Sequence, residues 1–211
     1  MQRFQLDPES PRPDLIARAA DTLRRGGLLA LPTDTTWSVV CDARDRSAAQ
    51  RLGAVRAEMA GRSDLDPAKA PMSLVCADLK MVGTYTLMNQ PQFRFVKELL
   101  PGPFTVILPA SREVPKVLQS KRRDVGVRMP NDRVTLAILA ALDAPVLAAT
   151  CQNAVGELLG ASPDVESAIG RHLAGIIETE AIVPEPSTVV DYTGDEPSLV
   201  RQGKGIVEGL S

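Results

Sequence analysis

At 211 residues, with 24 basic against 26 acidic side chains and 44% hydrophobic composition, the chain suits one sizeable folded domain and is neither disordered nor collagen-like. No apolar run approaches the ~20 residues of a membrane-spanning helix. The opening MQRFQLDPESPRPD carries acids and prolines where a signal peptide has an apolar centre, so a cytoplasmic protein without a membrane partner is expected.

Cys41, Cys76 and Cys151 are too widely spaced for a Cys-x-x-Cys pair and have apolar neighbours, which reads as three reduced, buried thiols. His172 is the chain's one histidine and lies in a segment with helical markings. Histidine-based hydrolysis and most zinc sites therefore lose their usual residue.

Residues 14–25 place Leu15, Ala19 and Leu23 on one helical face and stop at Gly26-Gly27. Leu28–Leu31 and Trp37–Cys41 read as strands. Ser47 and Gln50 have capping-box spacing ahead of Leu52 and Val55, which predicts a helix to about Glu58. Residues 59–71 lack periodicity and collect Gly, Ser, Asp and Pro, a loop. Met72–Cys76 reads as a strand, Asn89–Leu100 as a helix stopped by Pro101-Gly102-Pro103, and Phe104–Leu108 as the next strand.

Val125–Arg128 is a short strand, and Asn131 is placed to cap a helix carrying Val134, Ile138 and Leu142. Pro145–Ala149 follows as a strand, and Ser162-Pro163-Asp164 opens a helix with proline in its first turn. Ser187–Asp191 and Ser198–Arg201 complete the strands. Strands alternate with helices without a strict βαβ rhythm. That predicts an α/β fold, a single domain over residues 1–211 with its core at about 14–203, built on a twisted mixed sheet with flanking helices. The start and the tail after Gly203 are expected to fray.

The densest chemistry lies in Gly26–Asp42, GGLLALPTDTTWSVVCD. A buried strand stops at Pro32 and gives way to Thr33, Asp34, Thr35 and Thr36 before a second apolar run. Hydroxyls and a carboxylate at a strand end mark either a ligand site or a polar turn whose side chains cap backbone groups. Charge is uneven: residues 116–133 hold six basic side chains against two acids, whereas residues 151–200 hold nine acids and only Arg171. Lys121-Arg122-Arg123 is either a solvated turn or a contact for a polyanion such as RNA.

The chain lacks both the Gly-rich loop ending in Lys-Ser/Thr and a Gly-x-Gly-x-x-Gly after a strand. Nucleotide phosphates would then be held by arginines, hydroxyls and backbone N–H groups. The candidates are Arg56, Arg62, Lys69, Arg128 and Arg201, since an arginine fork matches phosphate geometry.

Five motifs in order resemble the YrdC-like threonylcarbamoyl-AMP synthases. They are the Gly-Gly, apolar strand and Pro32-Thr33-Asp34-Thr35 start, Pro101-Gly102-Pro103-Phe104-Thr105-Val106-Ile107-Leu108, Val127-Arg128-Met129-Pro130, Pro186-Ser187-Thr188-Val189-Val190-Asp191, and Arg201-x-Gly203. The basic run before Val125 and the Asp191-Tyr192-Thr193-Gly194-Asp195 ending resemble the YciO branch.

The resemblance implies an L-threonylcarbamoyladenylate synthase, a nucleotidyltransferase of the transfer-RNA modification route. Its substrates would be L-threonine, bicarbonate and ATP with Mg2+, without a redox cofactor. It implies that Thr33 and Thr35 line the amino-acid pocket, Arg128 pairs with the threonine carboxylate and Ser187 closes that pocket. Thr150, Gln152, Arg62 and Arg201 would serve the nucleotide.

The family's phosphate-gripping Lys-x-Arg is not intact. Ala54-Val55-Arg56 or Ala60-Gly61-Arg62 takes its place without the lysine, leaving Arg56 and Lys69 as the candidate catalytic cations. The Ser-x-Asn of the nucleotide loop has become Thr150-Cys151-Gln152. A paralogue that binds double-stranded RNA, transfer RNA or a nucleotide, and a hydrolase, are the competing readings.

Overall fold

Proline in the first turn, amphipathic spacing and side-chain caps set the helices, and β-branched runs set the strands. The computed structural model describes residues 1–61, 72–115 and 123–210. Along the described residues the elements are β1 (Gln2–Gln5), α1 (Pro13–Arg24), β2 (Leu29–Pro32), β3 (Trp37–Asp42), α2 (Arg46–Met59), β4 (Ser73–Val75), α3 (Leu79–Tyr85), α4 (Gln90–Leu99), β5 (Phe104–Pro109), β6 (Asp124–Arg128), α5 (Arg133–Leu142), β7 (Val146–Thr150), α6 (Ser162–Ile169), β8 (Gly175–Glu178), β9 (Thr188–Asp191) and β10 (Ser198–Arg201). All ten strands join one mixed sheet in the order β1-β8-β2-β3-β7-β4-β6-β5-β9-β10.

Several expectations are corrected. The chain's start is ordered: Gln2–Gln5 pair in parallel with Gly175–Glu178, and Phe4 is fully buried. Neither that strand nor α3 or β8 shows a period long enough to be read from sequence. Helix α2 is capped by Asp45, not Ser47, and α5 by Asp132, whose carboxylate accepts the Thr135 N–H at 2.6 Å. The tail beyond Gly203 is anchored as well, because Thr188 Oγ1 donates to the Gly205 carbonyl and accepts the Gly203 N–H at 2.9 Å.

The sheet separates two apolar layers. On one face α2 sets Leu52, Val55 and Met59 against Trp37, Val39, Leu74, Val127 and Leu147. On the other, α1 and α5 bring Ala19, Leu23, Ile138 and Leu142 against Leu29, Leu31, Val40 and Val146. The three cysteines are buried, and burial pushes the Cys41 and Cys76 thiols up to about 12. They are inert packing residues.

The second layer covers the central strands at Val75 and Val146 but is thinner toward their other ends. Ser38 pairs with Thr150, Ser73 with Ala148, and a methyl built on Gly126 would lie 3.4 Å from the Thr105 methyl and 3.9 Å from Ser73 Oγ. These residues form a strip of small and hydroxylated side chains across β3, β7, β4, β6 and β5 on one face. Ser73, Gly126, Ala148 and Thr150 are only half-buried, while their strand neighbours Leu74, Val127, Leu147 and Ala149 are in the core. This half-buried patch of the central strands, at the edge of the second layer, is the floor of a recess.

Candidate active site

The site begins at the turn after β2. Thr33 Oγ1 donates to the Thr36 carbonyl at 2.8 Å and accepts the N–H groups of Thr35 and Thr36 at 3.2 Å, so one hydroxyl organises the turn. Thr33 and Thr35 Oγ1 lie 3.2 Å apart, with Thr35 fully buried.

Arg128, at the end of β6, reaches this turn. Its Nη2 donates to the Asp34 carboxylate and to Thr33 Oγ1 at 3.3 Å. The second Asp34 oxygen accepts the Asn131 N–H at 2.9 Å. By strand register Arg128 is level with Val75 and Val146, whereas the 33–36 turn extends beyond the Trp37 end of β3, the opposite end of the ladder. Their contact therefore requires that the sheet coil strongly, the accumulated right-handed twist of its strands folding one half toward the other.

Arg128 is 8% exposed, and its Nε is a buried donor without a hydrogen-bond partner among the described residues. Burial lowers its pKa, Asp34 opposes that shift, and the charge of Arg201 adds to it. A buried arginine N–H left unmatched is unfavourable by about 1–3 kcal/mol until an acceptor arrives. On the next strands Thr105 and Ser187 hydroxyls lie 2.9 Å apart, and Arg201 Nη2 donates to the Ser187 carbonyl at 2.7 Å.

The residues singled out from sequence divide accordingly. Thr33, Thr35 and Arg128 are joined directly, Ser187 and Arg201 form a second pair coupled electrically to Arg128, and Thr150 lies on the cavity floor beside Ser38. Gln152 turns away, its amide donating to the Met59 carbonyl at 3.4 Å. Arg56 rides on α2, whose apolar residues pack under the other face, and burial lowers its pKa. Arg123 is exposed in a left-handed conformation at φ 56°. Arg62, Lys69, Lys121 and Arg122 lie outside the described residues.

Sequence reasoning missed the roles of Asn131, Thr105 and Lys204, and of the floor residues Ser73, Gly126 and Ala148. The floor had a readable signal, since small residues alternate with large apolar ones on several strands.

The fold and site define an α/β protein whose central sheet carries a cationic, hydroxyl-lined cavity, suited to a small anionic ligand. The family model described as "Telomere recombination", covering Sua5, YciO and YrdC proteins, matches residues 21–203, and the chain belongs to that family. It is 31% identical over 209 residues to "Uncharacterized protein YciO" of Escherichia coli, covering 98% of each chain, and the crystal structure of that protein superposes with a TM-score of 0.85. It is 30% identical over 194 residues to the threonylcarbamoyl-AMP synthase of Pyrococcus abyssi, covering 89% of this chain and 54% of the relative. A crystal structure of P. abyssi Sua5 complexed with L-threonine superposes with a TM-score of 0.78 at 26% identity, covering 96% of this chain and 57% of that one.

Proposed function

We propose that the chain is a threonylcarbamoyl-AMP synthase-type enzyme that forms L-threonylcarbamoyladenylate from L-threonine, bicarbonate and ATP. The observation that carries this reading is the buried, unmatched Arg128 Nε beside the Thr33 and Thr35 hydroxyls. A guanidinium fixed on one side by Asp34, with a donor still open, is prepared for a carboxylate. The neighbouring hydroxyls suit the hydroxyl and amine of threonine.

In the reaction, threonine's amine takes up bicarbonate carbon and loses water to give a carbamate. A carbamate oxygen then attacks the α-phosphorus of ATP, a new P–O bond forms, and pyrophosphate leaves with the broken bond's electron pair. No side chain need act as nucleophile, which agrees with a cluster of arginines and hydroxyls and no histidine. Alignment and stabilisation of developing charge supply the rate. Arg128 holds the amino acid, Thr33 and Thr35 orient it, and Arg201 faces the nucleotide, whose Mg2+ arrives with the phosphates.

The test is pyrophosphate release with each substrate omitted in turn. Release that requires threonine, bicarbonate and ATP together is expected. Release that ignores threonine would identify a hydrolase instead, and no release with salt-sensitive RNA retention would identify a binding paralogue.

A further inference from the structure

The residues after β10 make an unusually constrained strap. A methyl on Gly203 would lie 2.2 Å from the Pro186 carbonyl oxygen, and one on Gly205 would lie 2.2 Å from the Phe104 ring. Thr188 Oγ1 holds both glycines, and the intervening Lys204 N–H donates to the Pro186 carbonyl at 2.9 Å. Glycine is required on both sides by close approach, so the backbone of Lys204 has one place to be.

Its side chain crosses to the threonine turn, where Nζ donates to the Asp34 carbonyl at 2.6 Å. Lys204 is exposed, and an ammonium group with one N–H engaged keeps two for a ligand. Arg201, the last residue of β10 and three residues before Lys204, is anchored through Nη2 on the Ser187 carbonyl. Among the described residues neither Arg201 nor Lys204 has a carboxylate within 4.0 Å, whereas Arg128 has Asp34. Asp132 is the other acid that acts on Arg128, and burial raises its pKa, disfavouring its charge. Three cations thus border one mouth with two acids, Asp34 paired to Arg128 and Asp132 capping α5.

We propose that Lys204 binds the triphosphate of the nucleotide, with the Gly203-Lys204-Gly205 strap serving as a rigid mount that supplies the lysine absent from residues 54 and 60. The buried Arg128 is matched to a small carboxylate reached through the cavity. The exposed Lys204 stands where a larger, more highly charged group meets solvent. This inference rests on the synthase-type reading for the identity of the nucleotide but not for its test.

The experiment is calorimetric titration of ATP, and separately of inorganic tripolyphosphate, into the full chain and into Lys204→Met and Lys204→Arg variants. Lys204→Met is expected to weaken both ligands about 5- to 30-fold, the loss of one charge-assisted contact at an exposed site. Lys204→Arg should stay within about 3-fold, L-threonine affinity should not change, and the melting temperature should not move. Equal ATP affinity in Lys204→Met, an equal loss for threonine, or no measurable ATP binding by the unaltered protein would overturn the proposal. Binding needs no turnover, so the titration reads out even where pyrophosphate release fails.

Discussion

Two recesses open near the start of β3, and they differ in what their walls require. One is a cleft of about 630 Å³ between the end of α2, the 152–160 loop and α6, lined by Glu58, Gln152, Glu157, Leu158, Asp164 and Ser167. Its acids are largely provided for: Glu58 pairs with Arg171 and, at 3.0 Å, with His172, and Glu157 accepts from Asn153 Nδ2 at 2.7 Å. The other recess is the Arg128 cavity, with a buried unmatched donor and two further cations at its mouth. The cleft has the volume of a small-molecule site. Sign of charge and unmet hydrogen bonding favour the cavity, because an anion completes it and would be repelled by the cleft.

The sharpest way to break this comparison uses adjacent residues of β7. Leu147 is fully buried in the layer beneath the sheet, while Ala148 is half-buried on the cavity floor. Leu147→Ala should destabilise the protein by about 2–5 kcal/mol with ligand affinity retained in the folded fraction. Ala148→Leu should destabilise by no more than about 1–3 kcal/mol and abolish detectable threonine and ATP binding by filling the floor. Ser167→Leu, in the acidic cleft, should leave both affinities unchanged. Denaturant unfolding and calorimetry check all three, and an Ala148→Leu protein that still binds would move the site elsewhere.

A smaller effect comes from Asp132, the α5 cap beside Arg128, whose pKa is raised mainly by burial. The folded protein holds this proton more tightly than the unfolded chain. Stability from this group is therefore complete below the ordinary carboxylate pKa and declines as pH rises through the raised value. Asp132→Asn keeps the cap without the titration. Its stability relative to the unaltered chain should rise from pH 4 to pH 7. A flat difference would contradict the assignment.

The helices with caps and apolar faces, and the strands bounded by glycine and proline, were legible because their signals are local. Phe4 was not, since a four-residue strand shows no period and is ordered by β8, more than 170 residues away. Thr33, Arg128, Ser187 and Arg201 could be named from motifs, but their convergence could not. The Arg128–Asp34 pair depends on the coil of the whole sheet, and Lys204 on the close approach of Gly203 to Pro186 and of Gly205 to Phe104.

The most direct measurement is titration of L-threonine into the unaltered protein and into Arg128→Lys. Lysine keeps a positive charge beside Asp34, so the fold is retained, but it lacks the planar fork. The account predicts threonine binding to the unaltered protein and affinity at least about 10-fold weaker in Arg128→Lys. Equal affinity in the two proteins would contradict it.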